Sequence, residues 1–266
     1  MLVGQVGFGK TGKAVASVLL ESKKSNLQWT LRKSRKLEHR SVPEFLGVDS
    51  DEPGLIHSIE EYDAGTLLDR HPVDVIVDFS SADGILYYGE EARRRGIAIV
   101  SAISHYPDER RKYLARLAED TVVIHSPNIT LGINFLLIAA KILKNIAPYT
   151  DIEVIEEHFR SKPELSGTAR IIAGGLGLDD AAIKSIRAGG IIGVHEILFG
   201  FPYQTVRLRH ESISREAFGN GILFALENLP KAKRGLFTME DLMLPHFSMG
   251  KPIAEEAEGV GWWKGW

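Results

Sequence analysis

The sequence predicts an α/β protein with an N-terminal doubly wound parallel sheet, followed by a C-terminal α+β domain with a mixed or antiparallel sheet. Three observations support this prediction. A glycine-rich turn follows the first apolar strand, short β-branched runs alternate with helical patterns as far as residue 127, and longer strands with polar and apolar faces come after it. Strands and helices that alternate at these lengths form parallel sheets, and 266 residues suffice for two modest domains.

The first half of the chain is predicted to alternate between strands and helices. The β-branched run at residues 73–79 is typical of a strand buried on both faces of a parallel sheet. Gly96 stands where a helix over residues 85–95 should end, since glycine readily forms a left-handed C-terminal cap. The predicted strands are 2–6, 27–31, 73–79, 97–100 and 122–124, and the predicted helices are 10–20, 85–95 and 108–119.

The second half begins after Pro127 and has a different pattern. Its predicted elements are a helix over 130–146, a strand over 151–157, a charged loop over 158–168, antiparallel strands over 191–201 and 205–210, and a helix over 214–229 with Ser214 as its cap. We therefore predict one domain over residues 1–127 and a second over 128–239, with 240–266 returning to the first. Three tryptophans in this tail should pack on the protein or on a neighbouring subunit.

Composition and charge exclude several classes of function. Lys and Arg total 32 against 35 Asp and Glu, so a net charge of −3 argues against a nucleic-acid partner. The absence of cysteine excludes disulfides, thiolate metal sites and cysteine nucleophiles, and we expect no metal. The first apolar run leads directly into a glycine turn, unlike a signal peptide, and the apolar stretch 129–143 is too short for a membrane span. We expect a soluble, cytoplasmic protein with no membrane partner.

The glycine turn has the spacing G-x-G-x-x-G between the first strand and the first helix. Gly7 permits a tight turn, Gly9 lets a pyrophosphate approach the backbone, and Gly12 lets the helix pack close to the strand. The helix N-terminus then offers N–H groups to the phosphates. An ordinary strand-to-helix turn is the alternative, but the context favours a Rossmann cofactor site formed by Gly7, Phe8, Gly9, Lys10, Thr11 and Gly12.

The end of the second strand predicts which dinucleotide is preferred. Five residues, Arg32-Lys33-Ser34-Arg35-Lys36, follow that strand, and no carboxylate occurs between Glu21 and Glu38. NAD-specific proteins carry an Asp or Glu here for the ribose 2′-hydroxyl, whereas an arginine accommodates a 2′-phosphate. Arg32 and Lys33 are therefore candidate contacts for NADPH in preference to NADH. The alternative is a solvated basic turn.

A second cluster of reactive side chains begins where the strand over residues 151–157 ends. His158 is a candidate general acid, because histidine is the side chain that most often exchanges protons in catalysis. Arg160 and Lys162 supply two cations, and Ser166-Gly167-Thr168 opens a short helix whose amides can hold a carboxylate. The alternative is a solvated charged loop with a surface histidine.

The string E-H-x-R-x-K-x-x-x-S-G-T-A at residues 157–169 resembles the signature of the 4-hydroxy-tetrahydrodipicolinate reductase (dihydrodipicolinate reductase) family, NAD(P)H enzymes of diaminopimelate and lysine biosynthesis. The glycine turn and the segments 74–80, 127–134 and 185–195 agree with the family in the same order, and the likeness extends to about Met243.

This resemblance implies reduction of a cyclic unsaturated imine dicarboxylate by NADPH, with NADH possible, in a homotetramer assembled through the second, substrate-binding domain. It implies that His158 is the catalytic acid and Lys162 the catalytic lysine. The implied and candidate substrate contacts are Arg160, Ser166, Gly167 and Thr168, and the further cofactor contacts are Ser80, Ala102, Ser104, Ser126, Asn128 and Ile129.

The chain departs from the family pattern at three places. Phe159 stands where the family has a second histidine, the loop at residues 164–168 is one residue shorter, and Ala102-Ile103-Ser104-His105 replaces a Gly-Thr-Thr-Gly turn beside the nicotinamide. Two alternatives therefore stay open: a related reductase of another small imino or keto acid, and a non-catalytic NAD(P)-binding sensor. Intact His158 and Lys162 argue against the sensor.

Overall fold

The computed structural model describes residues 1–232 and 234–247. Its larger sheet has seven strands, all paired in parallel, in the order β11-β6-β5-β4-β1-β2-β3. These strands are β1 (Leu2–Val6), β2 (Asn26–Arg32), β3 (Leu55–Ser58), β4 (Val75–Asp78), β5 (Ala98–Ser101), β6 (Val122–His125) and β11 (Gly235–Phe237). The doubly wound parallel sheet is thus confirmed, whereas the three tail tryptophans lie outside the described residues.

Helices cover both faces of this sheet. Alternate residues of β4 show why: Val75 and Val77 enter one buried apolar cluster, and Ile76 enters the cluster on the opposite face. The helices of this region are α1 (Lys10–Glu21), α2 (Val42–Leu46), α3 (Ala64–Arg70), α4 (Ile85–Arg95) and α5 (Asp108–Leu117). Helix α4 ends, as predicted, at Gly96, whose φ of 68° is left-handed.

The smaller sheet has four strands in the order β10-β9-β7-β8. They are β7 (Asp151–His158), β8 (Ile183–Arg187), β9 (Val194–Phe201) and β10 (Gln204–Glu211). Only the β7–β8 pair is parallel, so the predicted mixed sheet is confirmed. Helices α6 (Leu131–Ile146) and α7 (Gly167–Gly175) bury apolar residues against one face of this sheet, around Val154, Ile197 and Phe199.

The chain returns to the first domain earlier than the predicted residue 240. Helix α8 (Glu216–Glu227) already buries Ile222 and Ala225 in the core of the larger sheet, and β11 pairs with β6. The physical reason is the close packing of α8 on α1, where a Cβ atom at Gly219 would lie 2.5 Å from Val18. Ser214 is also not the cap of this helix, because Arg215 occupies that position without a side-chain hydrogen bond.

The last described helix is α9 (Met239–Met243), which begins with a reciprocal pair of hydrogen bonds between Thr238 and Asp241. Met239 and Leu242 are buried in the same core as α8, so this segment also belongs with the larger sheet. Within the described part of the chain, no helix has the length and apolar character needed to cross a membrane.

Candidate active site

The glycine turn leaves an opening at Gly9 while it closes around the other two glycines. Gly7 has a φ of 96°, and a Cβ atom there would lie 2.6 Å from the backbone of Phe79. A Cβ atom on Gly12 would overlap the carbonyl oxygen of Gly7, whereas one on Gly9 would have no atom within 4 Å. The Gln5 side chain fixes this shape by donating to the carbonyls of Gly7 (2.9 Å) and Gly12 (2.8 Å).

This turn fits the pyrophosphate of a dinucleotide. Helix α1 begins directly after Gly9 and has no side-chain cap, so the amides of its first turn are free to bind an anion. Along this helix lies a cavity of about 410 Å³, between α1 and the segments that precede β9 and α8. Its lining includes Lys10, Lys13, Ile192, Ser214 and Arg215.

The two arginines at the end of β2 and just after it, Arg32 and Arg35, differ in their hydrogen-bond partners. Arg35 lies 3.4 Å from the carboxylate of Glu60 and also donates to its carbonyl. The Nε atom of Arg32 is buried and lacks a hydrogen-bond partner among the described residues. Lys33 is exposed beside it. Of the predicted 2′-phosphate contacts, Arg32 thus has an unsatisfied donor at the end of β2.

At the end of β4, Ser80 is held by a buried carboxylate. Its N–H and hydroxyl groups both donate to Asp78, at 2.8 and 2.6 Å, and the Tyr88 hydroxyl donates to the second carboxylate oxygen at 2.8 Å. Burial raises the pKa of Asp78, and these hydrogen bonds oppose that effect. Ser80 therefore has a fixed orientation at the carboxyl edge of the sheet, where Rossmann folds bind their ligands.

The turn after β5 contains one of the departures from the family pattern. Ile103, which stands where the family has a hydroxyl residue, is 7% exposed and packs in the core. Its N–H group donates weakly to Ser101 (3.4 Å), and its carbonyl is 3.1 Å from His125 Nε2. Ser104 is exposed and Ala102 half-buried, so the turn presents one hydroxyl group to the cleft where the family presents two.

The crossover between the domains brings a predicted cofactor residue to a predicted substrate residue. The Asn128 amide donates to the Thr168 hydroxyl at 3.2 Å, and the Ser126 hydroxyl donates to the Asn128 carbonyl at 2.6 Å. Ile129 is 1% exposed, so only its backbone is available to a ligand. This hydrogen bond joins residues that are 40 positions apart in the sequence.

His158 lies at the carboxyl end of β7, bonded to a fully buried carboxylate. Its Nδ1 is 2.5 Å from Glu156, and Glu156 also accepts from Ser185 (2.5 Å) and from both terminal nitrogens of Arg187. Burial by itself raises the pKa of Glu156, but the hydrogen bonds from Arg187, Ser185 and His158 outweigh it and lower the pKa to about 2. Glu156 is therefore an anion throughout the physiological range.

The carboxylate fixes which nitrogen of His158 faces the cleft. Since Glu156 accepts from Nδ1, the other nitrogen, Nε2, is left to exchange a proton with a ligand. A Cβ atom at Gly193 would lie 3.2 Å from Nε2, so a side chain there would crowd this atom. The sequence did not predict Ser185 and Arg187 as site residues. They could be recognised only from the register of β8 on β7, in which Ser185 pairs with Glu156 and Arg187 pairs with His158.

A second histidine stands beside the first. The His195 ring is 5.3 Å from the His158 ring, and its Nε2 is 2.9 Å from the Ser166 hydroxyl. Burial, followed by the nearby His158, lowers the pKa of His195 to about 3, so this ring is neutral. Ser166 also accepts from Ala169 as the cap of α7, and it is 3% exposed. Its hydroxyl already has two partners inside the protein.

The other predicted substrate contacts lie between the end of β7 and the start of α7. Gly167 begins α7 and is exposed, with no atom within 4 Å of a Cβ placed on it. Lys162 is half-buried and close enough to His195 to contribute to its lowered pKa. Arg160 is exposed, and over residues 1–232 and 234–247 neither it nor Lys162 forms an ion pair. Phe159 is 41% exposed.

Comparisons with known proteins identify the family of this chain. The model for "Dihydrodipicolinate reductase, N-terminus" matches residues 1–129, and that for "Dihydrodipicolinate reductase, C-terminus" matches residues 128–243. The 4-hydroxy-tetrahydrodipicolinate reductase of Caldanaerobacter subterraneus subsp. tengcongensis is 31% identical over 196 residues, covering 65% of this chain and 78% of the relative. The enzyme of the same name from Hahella chejuensis is 32% identical, covering 64% and 73%.

A solved structure shows the same fold. The dipicolinate-bound dihydrodipicolinate reductase from Paenisporosarcina sp. TG-14 superposes with a TM-score of 0.72 at 21% identity, covering 91% of this chain and 98% of that one. Fold, family models and sequence relatives agree over nearly the whole described chain. This chain therefore belongs to the dihydrodipicolinate reductase family and is an NAD(P)H-dependent oxidoreductase.

Proposed function

We propose that this protein reduces 4-hydroxy-tetrahydrodipicolinate to tetrahydrodipicolinate in diaminopimelate and lysine biosynthesis. The observation that supports this most is His158, fixed by the buried Glu156 carboxylate and next to His195, which contacts the cap of α7 and is influenced by Lys162. A general acid next to cations and free amides suits an imine with two carboxylates. The cofactor's nicotinamide ring, when bound, supplies the hydride.

In this proposal the 4-hydroxyl group of the substrate leaves as water, which gives a ring C=C bond conjugated to the imine. Hydride then adds to the carbon of this bond that is farther from the imine, and His158 delivers a proton through Nε2 to the carbon beside the imine. Glu156 stabilises the imidazolium before the transfer and keeps Nδ1 protonated after it. Arg187 and Ser185 hold Glu156 in place, so they act as positioning residues rather than catalytic ones.

The cations and amides opposite His158 bind the substrate carboxylates. Gly167 and Thr168 offer backbone N–H groups at the start of α7, while Lys162 and Arg160 approach from the preceding loop. Lys162 also neutralises the charge that develops during reduction, because it acts electrostatically on His195, whose ring lies beside that of His158.

A related imino or keto acid is the second candidate substrate. It is favoured by the exposed Phe159, which replaces a polar contact with an apolar one, and by the buried Ile103 in the nicotinamide turn. Both changes reduce the number of polar groups that can contact the carboxylate oxygens of a dicarboxylate, which favours a substrate with fewer of them.

A steady-state assay with the condensation product of pyruvate and aspartate semialdehyde tests the proposal. We expect wild-type turnover, and a kcat that is lower by about 10²- to 10⁴-fold in His158→Gln and in Lys162→Ala, because each lacks a group used in the transition state. The exposed His246→Gln is the matched control with unchanged kcat. Cofactor titration should give similar Kd values in all four proteins. If the wild-type protein binds the cofactor but does not turn over this substrate, the proposed substrate is wrong. If His158→Gln has the wild-type kcat, the proposed general acid is wrong.

We also propose that NADPH is preferred over NADH through Arg32. Its unpartnered Nε at the end of β2 supports a contact with the 2′-phosphate. One charge-assisted hydrogen bond contributes about 1.5–3 kcal/mol, so we expect at least a roughly tenfold bias in kcat/KM. Arg32→Ala should remove that bias, whereas Arg35→Ala, whose guanidinium contacts Glu60, should retain most of it. Equal kcat/KM values for both cofactors in the wild type would contradict this assignment.

The proposal also covers the oligomeric state and the roles of the two domains. We propose a cytoplasmic homotetramer in which residues 1–127 bind the dinucleotide and residues 128–215 bind substrate and mediate assembly. The face of the smaller sheet opposite α6 and α7 supports this, because no described helix covers it and it exposes the apolar side chain of Ile186. Light scattering that gave a monomer mass at micromolar concentration would contradict the assembly.

A further inference from the structure

A cluster of two histidines and a glutamate lies outside the active site, at the end of β3. The Glu61 carboxylate is 2.6 Å from His39 Nε2 and 3.0 Å from His57 Nδ1. One ligand atom from each of the three residues lies within 4.8 Å of the other two. The two rings are 6.0 Å apart and nearly perpendicular, so both can direct a nitrogen towards the same carboxylate.

The backbone holds this cluster in position from three directions. His57 belongs to β3 and is 2% exposed. His39 donates its N–H group to the Ile56 carbonyl at 2.7 Å and has a left-handed φ of 62°. Glu61 closes the turn after β3 by donating its N–H group to Ser58. A left-handed histidine is an unfavourable conformation, which indicates that the surrounding contacts determine it.

His57 is not explained by packing alone. Its Nδ1 atom faces Glu61 and is the nitrogen that a ligand in the cluster would use. Its Nε2 atom, on the other side of the ring, is buried and has no hydrogen-bond partner among the described residues. A buried polar atom without a partner is destabilising, so an apolar residue would suit this strand position better. The ring nevertheless lies in the sheet, 4.8 Å from the His71 ring and next to the Glu61 anion.

From these contacts we propose that His39, His57 and Glu61 form a binding site for a divalent transition-metal ion of the zinc class. Two imidazoles and one carboxylate are a ligand set that zinc and its neighbours prefer, and three protein ligands leave a fourth position for water. Zn–N bonds of about 2.0–2.1 Å require ligand atoms roughly 3.4 Å apart in a tetrahedron. The His39 side chain can make that adjustment because it is 64% exposed, whereas His57 is buried in β3.

The site adjoins the predicted 2′-phosphate segment. Arg32 pairs in register with Ser58, and Arg35 contacts Glu60, the residue directly before Glu61. A metal ion bound by His39 and Glu61 would therefore join the segment that follows Arg35 to the turn that follows β3. Its expected role is structural, because it fastens the loop that carries the basic residues to the edge of the sheet.

Zinc titration of the full-length, tag-free protein tests the proposal. After chelator treatment and removal of the chelator, we expect one Zn²⁺ per chain by calorimetry and by elemental analysis, together with a higher Tm in the presence of Zn²⁺. His39→Gln and Glu61→Gln should each weaken the affinity more than about tenfold. Glu60→Gln and His246→Gln are the matched controls, since both side chains are exposed and outside the cluster.

The test avoids variants that fail to fold. His39 is exposed, and Glu61→Gln preserves side-chain volume, so circular dichroism should show folded proteins in both cases. Co²⁺ in place of Zn²⁺ should give visible ligand-field bands in the wild type and in Glu60→Gln, and none in Glu61→Gln. No zinc binding by the wild type, or equal affinity in His39→Gln and the wild type, would overturn the proposal.

Discussion

At the scale of single residues, the site depends on the alternation of side chains along β7. Glu156 and His158 are two positions apart, so both point to the face that α6 and α7 cover. The histidine was predicted from its type and its loop, but the partners of Glu156 were not. Ser185 and Arg187 lie on β8, where only Ile183 is buried, so its sequence lacks the apolar alternation that predicts a strand.

Replacing this carboxylate should affect both rate and stability. We expect Glu156→Gln to lower kcat on the order of 10²-fold or more, because the amide no longer stabilises the imidazolium or fixes its tautomer. The Kd of the cofactor should be unchanged, since Glu156 lies in the smaller sheet. Glu153→Gln, on the same strand, is the matched control.

Stability should change with pH in a direction set by the same carboxylate. The pKa of Glu156 is about 2 in the folded protein and 4.5 in its ordinary environment. A depressed pKa stabilises the folded state above about pH 4.5, and this contribution is lost as the pH falls towards 2. The difference in unfolding free energy between wild type and Glu156→Gln, measured with urea, should therefore shrink from pH 7 to pH 3. A constant difference would show that the carboxylate is not held by Arg187 and Ser185.

At the scale of elements, the glycine turn and its helix were predicted almost completely. The spacing at residues 7–12 determines a local geometry that depends on few other parts of the chain, and α1 begins at Lys10 as expected. The sequence did not predict that α8 packs on the larger sheet, because its pattern indicates an apolar helix but not the sheet that the helix contacts. Gly219 and Gly221 decide this, since they allow contact with Val18 and with the Ile129 backbone.

Two alanine substitutions in the turn should separate folding from cofactor binding. Gly12→Ala should lower the Tm markedly, because its methyl group would overlap the Gly7 carbonyl. Gly9→Ala meets no protein atom within 4 Å, so the apoprotein should keep its Tm. Its affinity for NADPH should fall at least tenfold, because the methyl group occupies the space a pyrophosphate needs. Thermal denaturation and fluorescence titration measure the two effects. Normal NADPH affinity in Gly9→Ala would mean that the cofactor does not approach this turn.

At the scale of the whole molecule, two segments of the described chain join the two sheets. The chain leaves the larger sheet near Pro127, and it returns between the end of β10 and the start of α8, at residues 211–216. The boundary predicted from the sequence would put the second crossing near Phe237, but the packing of α8 on α1 moves it about twenty residues earlier. Periodicity could predict that there are two domains, while the crossing depends on long-range packing.

Because the proposed cofactor contacts lie mainly on the larger sheet and the proposed substrate contacts follow the smaller one, catalysis should require the domains to approach each other. Hinges at Pro127 and at residues 211–216 allow this without disturbing either core, and the 410 Å³ cavity beside α1 is the space that would narrow. We expect small-angle X-ray scattering to show a smaller radius of gyration when NADPH and dipicolinate are added together than with either alone. Gly9→Ala, which should not bind NADPH well, is the control that stays open. An unchanged radius with both ligands bound would mean that reduction proceeds without closure, and that the Asn128–Thr168 contact already sets the working distance.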